Sequence, residues 1–135
     1  MSPMKKILIC LLVCGAAFSV AAQNKTAKPM KNAKNGFVHT VYFWLKDTKS
    51  QTAKDSLYAG LQILSSIGEI REAYIGVPAA TRRPVIDHTY NYSVTFVFKN
   101  KADQDVYQEH PVHKKFIADC GNLWERVQVY DAVSR

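Results

Sequence analysis

FVHTVYFWLK, residues 37–46, decides the architecture. Its β-branched and aromatic residues favour an extended chain. Alternation then sets Phe37, His39, Val41, Phe43 and Leu45 on one face and Val38, Thr40, Tyr42 and Trp44 on the other. Both faces are largely apolar. Helices from the rest of a short chain cover one of them, and a second copy of the chain is the natural cover for the other.

Working outward, residues 47–50 turn the chain, and residues 51–67 carry Ala53, Leu57, Leu61 and Leu64 at helical spacing, with Gly68 as the stop. Residues 70–77 read as a second strand closed by Pro78. Residues 88–99, HTYNYSVTFVFK, form the clearest alternating strand. They put His88, Tyr90, Tyr92, Val94, Phe96 and Phe98 opposite Thr89, Asn91, Ser93 and Thr95. Between these strands, Arg82 and Arg83 read as a solvated loop rather than an anion site. Asn100 caps a short helix, with Asp103 at the capping-box position.

The next segment, YQEHPVHKKFIADC at residues 107–120, breaks one helix and starts another. Pro111 suits the first helical position and holds His110 out of the α region, so His110 is a cap. On a wheel of about 100° per residue, His113 falls in the same arc as Val112, Phe116, Ile117 and Cys120. A core-facing histidine must find a hydrogen-bond partner, as a structural linchpin or as a site residue. Burial and the helix N-terminus both disfavour its imidazolium, so His113 is expected to be neutral at pH 7. Gly121 stops this helix. Residues 124–133 then form the last strand through Val127, Val129, Tyr130 and Val133.

The order is β-α-β-β-α-β with the second helix broken. It predicts an α+β, ferredoxin-like fold: an antiparallel four-stranded sheet, first and third strands central, helices on one face. Two such sheets packed through the free face give a homodimer, a dimeric α/β barrel.

The N-terminal residues have a different character. Lys5 and Lys6 precede an uncharged apolar run from Ile7 to Val20, and Ala21-Ala22 offers a cleavage site. Residues 1–22 read as a secretory signal peptide, giving an exported protein, periplasmic or secreted, with no stable membrane insertion after cleavage. A lipoprotein anchored through Cys14 is the alternative, although Val13 departs from the small residue that precedes such cysteines. Residues 23–35 hold Lys25, Lys28, Lys31 and Lys34 and no acid, and read as a disordered tether. The domain is residues 36–135.

The chain has 18 Lys+Arg against 11 Asp+Glu, and six of the lysines lie in the leader and tether. The domain therefore keeps 12 basic against 11 acidic groups, and no nucleic-acid partner is expected. Two of the three cysteines, Cys10 and Cys14, fall in the leader, leaving Cys120 to pack in the core with no internal disulfide.

FVHTVYFWLK, the strand ending FVFKN, the Y-x-x-H-P-x-H of Tyr107, His110, Pro111 and His113, and LWERVQVYD at residues 123–131 together resemble the stress-responsive α/β-barrel (Dabb) domain family over residues 36–133. The resemblance implies a dimeric α/β barrel. It also implies, from a plant polyketide cyclase of the family, a catalytic pair at Tyr107 and His113, with His39 and Trp124 in the pocket. Tyr92 stands where that cyclase has a histidine, and Leu57 and Leu61 where it has aromatic residues, so the pocket shape differs.

From the residues themselves, Tyr107, His113 and His39 all point between helices and sheet, with Val41, Phe43, Val94, Phe96 and Trp124 as binding walls. A neutral imidazole there takes a proton next to a carbonyl while the phenol donates to the developing enolate. That suits cyclisation, isomerisation or decarboxylation of a small hydrophobic or aromatic carbonyl ligand. The alternative is a stable dimeric stress protein with no reaction, in which His113 fastens the broken helix to the sheet. Haem or metal binding is a minor alternative from the spacing of His110 and His113. No carboxylate or thiolate set accompanies them, so neither a cofactor nor a metal is expected.

Overall fold

The computed structural model describes residues 36–135. The signal peptide, the tether and the Cys14 alternative lie outside the described residues. In chain order the elements are β1 (Phe37–Leu45), α1 (Gln51–Leu64), β2 (Ile70–Gly76), β3 (Tyr92–Phe98), α2 (Lys101–Glu109), α3 (Pro111–Cys120) and β4 (Trp124–Val133). The four strands make one antiparallel sheet in the order β2-β3-β1-β4. This is the ferredoxin-like α+β arrangement, with β1 and β3 central.

The helices begin where local chemistry satisfies their first N–H groups. Ser50 Oγ accepts from Ala53 N–H at 3.1 Å, and Asn100 Oδ1 accepts from Asp103 N–H at 2.9 Å. His110 closes α2 and opens α3: its N–H donates to the Tyr107 carbonyl, and its Nδ1 accepts from Val112 N–H at 3.1 Å. Pro111 follows as the first helical residue.

Two boundaries differ from expectation. The first helix ends at Leu64 instead of Ile67, because the Ser65 and Ser66 hydroxyls donate to the Leu61 and Ile63 carbonyls at 2.7 and 2.6 Å and close it early. The third strand begins at Tyr92, not His88. Asn91 ends the ladder by donating its N–H to the Phe43 carbonyl and accepting from Leu45 N–H through Oδ1, both at 2.8 Å. Beyond that bracket the alternation loses phase. Tyr90 lies against Tyr42 and Trp44, on the sheet face opposite the one its spacing predicted.

The helix side of the sheet forms the core. Val41, Phe43 and Leu45 of β1 and Val94, Phe96 and Phe98 of β3 bury against Leu57, Leu61 and Leu64 of α1, Tyr107 of α2, and Phe116 and Cys120 of α3. Each large apolar side chain buried there contributes about 1.5–3 kcal/mol relative to exposure. Helices α1 and α3 approach closely at Gly60, where a Cβ would come within 2.8 Å of Cys120 Sγ. Past Trp124 the edge strand β4 is not buried by any described helix, and its helix-side residues Val127 and Val129 stay exposed. No helix among the described residues is long and apolar enough to cross a membrane.

Candidate functional site

A cavity of about 190 Å³ lies between the helices and the sheet, beside β4. Its polar wall is built by three elements. His39 comes from β1, where alternation turns it inward. Tyr107 comes from the last turn of α2. His113 comes from the first turn of α3, two residues beyond the proline that starts it. The break at His110–Pro111 is what lets Tyr107 and His113 meet, with ring centroids 4.8 Å apart.

Tyr107 is only 1 % exposed, packed by Phe96 and Phe98 behind and by His39 at 5.8 Å. Its hydroxyl makes no hydrogen bond with any described residue, yet no fully enclosed side-chain oxygen or nitrogen there lacks a partner. The hydroxyl therefore opens onto the cavity. Burial, then the negative charge of Asp131, raises its pKa well above the ordinary phenol value, so it is a neutral donor.

His113 is held below the ordinary histidine range, chiefly by burial and further by nearby His39, against a raising hydrogen bond to the Gln108 backbone. Its ring is neutral at pH 7 and open to accept a proton. His39 is 6 % exposed, and its Nδ1 lies 2.6 Å from Asp131 Oδ1 across the β1–β4 pair. A carboxylate only accepts, so this contact places a proton on Nδ1 and turns Nε2 toward the rest of the site.

The apolar wall gathers Val41, Phe43, Val94 and Trp124, all named from the sequence, with Leu64, Phe116, Ile117, Val127 and Val129. Phe43 and Phe116 both pack on the Trp124 ring, at 5.2 and 5.7 Å. Phe96 is the exception among the expected wall residues. It is fully buried edge-on to Tyr107 and backs the site without lining it.

Sequence reasoning missed Asp131, Gln108 and the β4 valines. The valines were visible in the alternation of the last strand, but Asp131 becomes His39's neighbour only through strand register. His110 does not converge with His113, because its Nδ1 is used in the cap. Among the described residues no group of three His, Cys, Asp or Glu is placed to hold a metal. A larger hollow of about 450 Å³ lies on the opposite sheet face, lined by Tyr42, Trp44, Tyr90, Arg126 and Tyr130 among others. It contains none of the Tyr107, His39 and His113 constellation.

Residues 37–134 match the Stress responsive A/B Barrel Domain, Dabb. The chain belongs to this family. Solved structures agree in fold. A Dabb family protein with a ferredoxin-like fold from Mesorhizobium loti is 24% identical, with a TM-score of 0.62 over 74% of this chain and 97% of that one. A dimeric ferredoxin-like protein of unknown function from Thermobifida fusca is 16% identical, with a TM-score of 0.62 over 81% and 100%. The hydroxynitrile lyase of Passiflora edulis is 20% identical, with a TM-score of 0.62 over 75% and 94%. Among curated proteins none matches the chain.

Proposed function

We propose that this Dabb protein binds a small aromatic or hydrophobic carbonyl compound in the helix–sheet cavity and acts on it by acid–base chemistry. One observation carries the reading: the cavity reaches both the Tyr107 hydroxyl, which bonds no described residue, and the neutral His113 ring. An apolar cavity of about 150 Å³ accommodates benzene, so about 190 Å³ suits a single ring with a short substituent. His113 takes a proton from the carbon next to the carbonyl, and Tyr107 donates a hydrogen bond to the oxygen that gains charge. The proton held on His113 returns to the product. Asp131 orients the His39 ring through Nδ1, beside the same Tyr107 ring. The hydroxynitrile lyase among the structural relatives supports lyase chemistry on this fold.

Acetophenone provides the test, through exchange of its methyl protons for deuterium followed by NMR. A positioned base contributes about 10²–10⁴-fold, so His113→Ala should slow exchange by at least a hundredfold. Exchange at the wild-type rate in that variant would sink the assignment.

A non-catalytic dimeric stress protein is the second reading, favoured by the tight packing of Tyr107 among four rings. It predicts that acetophenone leaves the melting temperature unchanged. In either reading the protein pairs through the outer sheet face, as the dimeric relative from Thermobifida fusca supports, and works outside the cytoplasm, as the apolar leader supports.

A further inference from the structure

Most of the cavity wall is closed to solvent. His39, Val41, Phe43, Leu64, Val94, Tyr107 and Phe116 are all buried. Three large aliphatic residues line the cavity and yet remain open to solvent: Ile117 at 47 %, Val127 at 43 % and Val129 at 42 %. Their exposure has one structural cause. Val127 and Val129 stand opposite Phe43 and Val41 in register, so they share the helix side of the sheet, but they lie on the edge strand, past Trp124, where no described helix buries them. Ile117 lies on the outward side of α3, the neighbouring helix. Gln108, also exposed, adds a polar group from the end of α2.

The geometry points to a lateral entrance between α3 and the uncovered side of β4, with Ile117, Val127 and Val129 as the apolar gate that limits the width of an incoming ligand. This rests on the cavity of the proposed function and assigns gate residues within it, whether or not a reaction follows. An apolar rim lowers the cost of passage for an unsolvated ring and raises it for a charged molecule. Each gate residue is exposed, so a larger side chain there meets solvent instead of displacing core.

Benzene is the probe, because it needs no chemistry from Tyr107 or His113. Its exchange with the full-length mature protein is followed by NMR through the methyl groups of Leu64 and Val94 on the inner wall. Ile117→Trp and, as a second variant, Val129→Trp should each slow exchange at least tenfold, and Ile117→Ala should speed it. Unchanged exchange in both tryptophan variants, with Leu64 and Val94 still responding, places the entrance elsewhere and overturns the proposal. Failure of benzene to reach Leu64 and Val94 in the wild type overturns it as well. The first result leaves the deuterium-exchange test untouched, since that test turns on His113; the second would count against the cavity of the proposed function as well.

Discussion

Tyr107 separates packing from chemistry within one side chain. Its ring is a core element, and its hydroxyl donates to no described residue. Replacing Tyr107 with Ala removes the ring and should cost about 3–5 kcal/mol. Tyr107→Phe removes a hydroxyl that bonds no described residue and should stay within about 1 kcal/mol of wild type in chemical denaturation. If Tyr107→Phe retains stability and loses acetophenone exchange, the hydroxyl serves the reaction. His113 gives a pH signature. Its folded pKa lies below that of the unfolded chain, so folding favours the neutral ring. The contribution is present above the unfolded value of about 6.5 and is lost as pH falls through the lower folded value. The melting temperature should therefore decline from pH 7 to pH 5, and His113→Phe should flatten part of that slope. Exchange should be flat near neutrality and fall with acid, as expected of a base. His113 itself was legible: its place on the apolar arc and behind a proline required only the helical period. Asp131 was not, since its contact with His39 depends on which strands pair and in what register.

At the level of elements, the interrupted helix is the device that builds the site. Val112 N–H would lack a partner at the start of α3 without His110 Nδ1, so His110→Ala should cost about 1 kcal/mol. It should also loosen the 4.8 Å approach of Tyr107 to His113, visible as a change in the His113 ring shifts by NMR. His110→Asn, which retains a capping acceptor, should restore much of both. Every strand and helix was legible from period, turn residues and caps, because each local signal agreed with the others. The failures came where a side chain replaced backbone bonding. Asn91 satisfies Leu45 N–H with its own amide oxygen, so the third strand starts four residues later than its alternating pattern implies. The serines after Leu64 do the same for the first helix. Hydrophobic period reports which residues repeat, and it is silent about a polar side chain that takes over a ladder or helix position.

For the whole molecule, the sheet has two distinct surfaces. One holds the cavity, and the other presents Tyr42, Trp44, Tyr90 and Tyr130, with the Arg126 guanidinium 4.1 Å over Trp44. An aromatic surface of this kind fits subunit packing. Light scattering should give a dimer at micromolar concentration, and Tyr42→Arg together with Tyr130→Glu should yield monomers; a wild-type monomer would contradict the pairing. Both faces of the first strand were legible as apolar, which is why a partner was expected from sequence alone. The cavity's volume was not legible, because it depends on how far α3 stands from β4.

Strand β4 serves both surfaces at once. Val127, Val129 and Asp131 look toward the cavity, while Arg126, Gln128 and Tyr130 stand opposite the outward residues of β1. Single substitutions can therefore remodel one surface and spare the other, but a change in length cannot. Inserting or deleting one codon near Arg126 would exchange the two sets together. It would aim Tyr130 at the cavity and carry Asp131 away from His39. Across related genes, this strand should accumulate replacements freely and length changes hardly at all.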